Sequence, residues 1–130
     1  MAIEKTIIDH GKGLIISITG TLRGSQIVDF LRNQITEELI SSIKYKIIDK
    51  SDVIKNYISV EEIKAISKLE KSQLTHNPLL ITAIIVQNEI IRHTSDAWSV
   101  YMRPDNDRIG VFNNYSDAMN WINQKLVSDT

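Results

Sequence analysis

Leu79-Leu80-Ile81-Thr82-Ala83-Ile84-Ile85-Val86 is the most continuous apolar run in the chain. It is rich in β-branched residues, which favour the pleated conformation. Polar residues bound it on both sides, Asn77-Pro78 before and Gln87-Asn88 after. A strand with no in-and-out alternation is covered on both faces, and parallel sheets acquire that cover from the helices of their crossovers. The run therefore predicts a central strand of an α/β sheet and directs attention to the segments on either side of it.

Upstream, Ser59-Val60-Glu61-Glu62 has the form of a capping box, in which a hydroxyl accepts an orphan backbone N–H and a carboxylate reaches back. The helix behind it carries Val60, Ile63, Ile66, Leu69 and Leu74, and Asn77-Pro78 stops it, because proline disfavours helix at the preceding residue. Ile43 to Asp49 reads as a strand, with Ile43, Tyr45 and Ile47 alternating against Lys44 and Lys46; Ser51 to Tyr57 reads as polar and irregular. Val28, Leu31, Ile35 and Leu39, widened by Ile27 and Phe30, mark a core-facing helix of about four turns with Ser25 as its cap. Two strands precede it, Thr6 to Asp9 and Leu14 to Thr19, joined through Gly11-Lys12-Gly13, and Gly20 to Gly24 breaks the pattern. Downstream, Asn88 opens a helix with Ile90, Thr94, Ala97, Trp98 and Tyr101 on one face. A turn at Arg103 to Asp107, a short strand at Arg108 to Phe112, and a last helix follow. That helix is capped by Asn114 with Asp117 and striped by Ala118, Trp121, Ile122 and Leu126. The order ββαβαβαβα predicts a mixed, mostly parallel five-stranded sheet with right-handed crossovers. Residues 1–130 are expected to form a single domain.

Composition narrows the function. The chain has 130 residues, 15 Lys and Arg against 16 Asp and Glu, and a formal net charge of −1. That balance argues against bulk electrostatic binding to nucleic acid. No cysteine is present, which excludes thiolate nucleophiles, disulfides and cysteine-ligated zinc. Hydrophobic residues make up 42% of the chain, enough for a core without such staples. No apolar run approaches the roughly 20 residues of a membrane span, and Glu4, Lys5, Asp9 and His10 interrupt any signal-peptide core. The expected protein is soluble, cytoplasmic and bacterial, with no cofactor and no metal.

In parallel sheets, ligands gather beyond the carboxyl ends of the strands. There the sequence offers Thr19, Thr21, Arg23 and Ser25; Asp49, Ser51 and Asp52; Gln87 and Asn88; and Asn113 and Asn114. Arg23, Ser25, Asp49, Ser51 and Gln87 are the candidate ligand-binding residues. Arg23 beside a helix N-terminus could hold an anion, against the plainer reading of a solvated side chain in a glycine-shaped loop. Asp49 and Ser51 are better explained by turn chemistry than by catalysis, and Ser59 by capping. The segment Gly20-Thr21-Leu22-Arg23-Gly24-Ser25 lacks the lysine of a phosphate loop. Glu89, His93 and Asp96 share a helix face and read as a surface cluster before a metal half-site. Ile91, Trp98 and Met102 form a second stripe beside the first on their helix, the candidate interaction face. The lysines from Lys44 to Lys71, Lys46 and Lys50 among them, interleave with acids and read as solvated surface.

The stretch Ile47-Ile48-Asp49-Lys50-Ser51-Asp52-Val53 followed by Ser59-Val60-Glu61-Glu62-Ile63, and Val111-Phe112-Asn113-Asn114 followed by Ala118 and Trp121, resemble the STAS-like fold of anti-sigma-factor antagonists. The resemblance covers nearly the whole chain and implies a βα superhelix whose first strand is antiparallel to the rest. STAS antagonists carry a phosphorylatable serine in an Asp-Ser-Ser-Gly-like turn. The equivalent stretch here is Tyr57-Ile58-Ser59-Val60, without the Asp and Gly, so no phosphosite is transferred. The resemblance implies a non-enzymatic regulatory module acting on a protein partner or as a homodimer. The alternative is a carrier of a small apolar or lipid-like ligand, since lipid carriers of the CRAL-TRIO type share the broad fold. An enzyme using Asp49, Ser51 or Arg23 ranks last, because no base is paired with a nucleophile at any readable spacing.

Overall fold

The computed structural model describes residues 2–89 and 107–129. Five strands lie in the order β1-β2-β3-β4-β5, so each strand pairs with its neighbour in sequence. β1 (Ala2–Ile8) is antiparallel to β2 (Gly13–Arg23). β3 (Tyr45–Tyr57), β4 (Ile81–Ile85) and β5 (Ile109–Phe112) continue parallel to β2. This is the mixed, mostly parallel sheet that the apolar run at 79–86 predicts. Among the described residues four helices flank it: α1 (Gly24–Gln34), α2 (Glu37–Ser42), α3 (Val60–His76) and α4 (Tyr115–Ser128).

Two cores lie on opposite faces of the sheet. Leu14, Ile16, Ile18 and Ile84 pack with Ile27 and Leu31 of α1, Ile40 of α2, and Ile63 and Ile66 of α3. Tyr45, Ile47, Ala83 and Ile85 pack with Ala118 and Ile122 of α4. All five residues of β4 are buried, as a strand covered on both faces requires. Each such aliphatic side chain contributes about 1.5–3 kcal/mol on leaving water.

The caps read from the sequence form. Ser59 accepts from the Glu62 amide at 3.1 Å while the Glu62 carboxylate accepts from the Ser59 amide at 2.9 Å. Asn114 accepts from the Asp117 amide at 2.8 Å. Asn77 ends α3 and ties it inward, its amide donating to the carbonyls of Ile40 and Ile43 at 2.8 and 2.7 Å.

Four local expectations are corrected. The single helix from Ser25 to Leu39 is two helices, broken where Ile35 and Thr36 adopt extended backbone. Thr36 caps the second by accepting from the Leu39 amide at 3.1 Å. Ile35 and Ile40 are both buried, so the apolar stripe runs on across the break. Ser25 is inside α1, and Arg23 holds the cap position without a side-chain cap bond. β2 continues through Gly20 to Arg23 instead of breaking, and β3 continues through Ser51 to Tyr57. The last correction concerns Lys46, which is 1% exposed and is bonded to Glu70, itself 4% exposed. In a sheet with helices on both faces, alternation separates two buried layers, so the lysine faces α3 and not water.

Candidate functional site

β4 stops at Ile85, opposite Asp49, whereas β3 and β2 remain paired as far as Arg23 opposite Tyr57. The two longest strands therefore project together beyond the parallel sheet as a ribbon. Its register slips twice. Between Ser17–Asp49 and Thr19–Asp52, and again between Gly20–Val53 and Thr21–Lys55, β3 carries one residue more than β2. These are β-bulges, which bend a strand and re-aim its side chains. Gly20 lies at the second slip with φ +80°, a conformation that costs a side-chain-bearing residue much more than glycine.

Asp49 and Ser51 meet at the first bulge. The Asp49 carboxylate accepts from the Ser51 amide at 3.0 Å and from its hydroxyl at 2.6 Å. The carboxylate thus supplies a partner for a backbone group where the ladder slips, which is the turn chemistry of aspartate exercised inside a strand. Arg23 is at the ribbon's tip, its guanidinium 5.2 Å from the centre of the Tyr57 ring. The first turn of α1 beside it approaches Glu62 of α3: a Cβ on Gly24 would meet the Glu62 carboxyl carbon at 2.6 Å. The Glu62 side chain therefore lies close to the start of α1. Ser25 and Gln87 are exposed and, among the described residues, make no side-chain hydrogen bond. The structure gathers Asp49 with Ser51, and Arg23 with Tyr57. Ile91, Trp98 and Met102, and the cluster's His93 and Asp96, lie outside the described residues.

Two features went unread in the sequence. The first is a set of exposed apolar residues at the ribbon tip and the start of α3, where Ile54, Tyr57 and Val60 are 71%, 56% and 55% exposed. The second is a cavity of about 50 Å³ between the sheet and the α1–α3 layer. Among the described residues its wall is aliphatic and aromatic except for Lys50 and Glu70. Lys46 donates to Glu70 and, at 2.7 Å, to Gln73, so three polar side chains of the interior satisfy one another. Burial lowers the Lys50 ammonium to a pKa of about 8, and the nearby Glu70 carboxylate opposes that shift only in part. On the other face, burial first, then the hydrogen bond and charge of Asp9, and lastly Tyr115, push Tyr45 up to about 12. The Tyr45 hydroxyl donates to Asp9 at 3.1 Å. The spacing of Ile63, Ile66, Glu70 and Gln73 along one helix stripe was the available sign that Glu70 and Gln73 face inward.

The strand order, the antiparallel first strand and the helix placement define a STAS-like, SpoIIAA-like fold. The chain is similar to an uncharacterised protein of the DUF3478 family with a SpoIIAA-like fold from Shewanella loihica PV-4, with a TM-score of 0.58 and 20% identity over 93% of this chain and 92% of that one. It is also similar to the anti-sigma factor antagonist SpoIIAA in its unphosphorylated form, with a TM-score of 0.56 and 10% identity over 94% of this chain and 98% of that one. No protein-family model matches the chain, and no curated protein matches it significantly. Among the described residues, no helix is long and apolar enough to cross a membrane.

Proposed function

We propose that the chain is a STAS-like regulatory module of one domain that binds a protein partner through the projecting end of β2 and β3. The observation that supports this most directly is that Ile54, Tyr57 and Val60, all more than half exposed, fall within seven consecutive residues at the end of β3 and the start of α3. Single exposed apolar residues are ordinary, but several on one projecting element mark a binding surface. Arg23, Lys55 and Glu61 in the same segments are exposed and of mixed charge, the composition expected of an interface rim. Tyr57, held by Arg23, supplies a pre-positioned aromatic anchor of the kind that dominates binding energy. The anti-sigma factor antagonist with the same fold is a protein that acts on other proteins, which agrees with this reading.

The test is affinity purification of the tagged full chain from its native cells, in parallel with an Ile54→Glu/Tyr57→Glu variant. One stoichiometric protein partner retained by the wild type and lost by the variant supports the proposal. Equal retention by both, or no stoichiometric partner, overturns it. Sedimentation velocity on both proteins separates a homodimer from a different partner. The lipid-carrier alternative is less well supported: a cavity of about 50 Å³ is smaller than the roughly 150 Å³ that admits benzene in an engineered core.

A further inference from the structure

We propose that the cleft between α1–α2 and α3 binds a small monocarboxylic acid with an apolar body, its carboxylate received by Arg32 and the side-chain amide of Gln73. The cleft has a volume of about 380 Å³, more than twice the roughly 150 Å³ that admits benzene and of the size of sites that hold small molecules. It opens where the apolar stripe changes helix: Ile35 and Thr36 take extended backbone between α1 and α2, and the two helices leave a gap against the second half of α3. Arg32, Gln73 and His76 stand near the C-terminal ends of α1 and α3, whereas the ribbon tip meets the starts of those helices. The site is therefore separate from the surface that carries Ile54, Tyr57 and Val60.

The wall sets the chemistry of the occupant. Leu31, Ile35 and Ile40 are buried beneath the cleft, and they suit a hydrocarbon body. Gln73, 8% exposed, belongs to the interior network, its oxygen accepting from Lys46 at 2.7 Å. An ammonium only donates, so Lys46 fixes which way the amide is turned and leaves its NH₂ group facing away. That NH₂ has no hydrogen-bond partner among the described residues and is not sealed in the interior, and Gln73 lines the cleft. An acceptor in the cleft satisfies it. Arg32 is exposed and, among the described residues, makes no ion pair or side-chain hydrogen bond. Its planar fork of donors matches a carboxylate. Glu37, the acid of the wall, is already paired with His76 at 3.3 Å, so the uncommitted charge is positive. The C-terminal ends of α1 and α3 carry partial negative charge, and an anion is held beside them only while Arg32 is present.

The experiment is titration of the full chain with hydrocinnamate and, separately, with its neutral primary amide, followed by calorimetry and by backbone-amide NMR. The expected result is saturable binding of the acid with a dissociation constant below about 1 mM and shifts centred on Thr36, Leu69, Ser72 and Gln73. The neutral amide should bind more weakly by about tenfold or more. Arg32→Gln, at an exposed position, should weaken binding of the acid by about tenfold or more and leave that of the amide unchanged. Ser72→Trp, which fills the cleft from an exposed position, should abolish binding of the acid. Lys68→Gln, exposed on α3 outside the cleft, should bind as the wild type does. No saturable binding of the acid, shifts centred elsewhere, or equal binding of the acid by wild type and Arg32→Gln overturns the proposal.

Discussion

At the scale of single residues, Lys46 and Glu70 show how a charged pair is held inside this sheet. Both are almost wholly buried, and Gln73 supplies a further acceptor for the ammonium. Removing one partner of such a pair leaves a buried charge without compensation, whereas removing both need not. Glu70→Ala is therefore expected to lower unfolding stability by about 3–5 kcal/mol, and Lys46→Met/Glu70→Leu to recover most of that loss. Urea titrations of the two variants check this; a double variant as unstable as the single one would refute it. Lys50 and Tyr45 give a pH signature. With the folded pKa of Lys50 near 8 against an ordinary 10.5, the unfolded chain binds more protons between those values, and stability must rise with pH there. Tyr45, ionising near 12 instead of 10, stays protonated in the folded chain when the unfolded one has lost its proton, so its contribution falls with pH above 10. Unfolding measured from pH 7.5 to 10 should show a more positive slope for wild type than for Lys50→Met, and equal slopes would exclude the Lys50 shift. None of these residues stands out in the sequence. Alternation told which residues share a face, but not that both faces of β3 are covered.

At the scale of elements, what is legible depends on whether the signal is local. Capping is a matter of four consecutive residues, and Ser59 with Glu62 and Asn114 with Asp117 could be read directly. Ser59→Ala should cost about 1 kcal/mol, while Ser59→Asp, also a capping residue, should stay near wild type; thermal melts of both distinguish a cap from a residue needed only for function. The start of α1 has no such signal. Its position follows from the approach of Glu62 to Gly24, a contact between residues far apart in sequence. Gly24→Ala would place a methyl group against that carboxyl and is expected to destabilise the chain by about 1–3 kcal/mol; a Glu62→Ala background relieves this only in part, because the Cβ of residue 62 also lies 2.8 Å from the added methyl. The length of β3 was hidden for a similar reason. Two bulges put the strand out of step with strict alternation, and Asp49, Lys50, Ser51 and Asp52 look like a loop although Asp49 and Asp52 pair with Ser17 and Thr19 of β2 and hold the segment in the sheet. The candidate residues Asp49 and Ser51 were thus found for their polarity and misplaced at a strand end. The exposed Ile54, Tyr57 and Val60 were missed because the segment carrying them read as irregular.

At the scale of the whole molecule, β4 belongs to both cores, and the run at 79–86 that revealed the fold is also what couples its two sides. Ile84 points to the α1–α3 layer and Ile85 to the α4 side, each almost completely buried. Truncation of a buried isoleucine to alanine costs about 2–5 kcal/mol, the spread reflecting how far the site can collapse. Ile84 lies beside the existing cavity, so Ile84→Ala enlarges a space already present, whereas Ile85→Ala opens a new one against Ala118 and Ile122. If the sheet joins its two layers into one cooperative unit, each variant must lower the midpoint of a single unfolding transition, with the slope against denaturant unchanged. Circular dichroism of the backbone and near-ultraviolet signals from the aromatic side chains would then fall together in both. A transition that splits in Ile85→Ala, with the helical signal of the α1–α3 layer surviving to the wild-type midpoint, would instead show that the α4 side unfolds alone. Coincident loss is the expected result, because a strand only five residues long cannot keep its place in the sheet when either of its faces loses its packing.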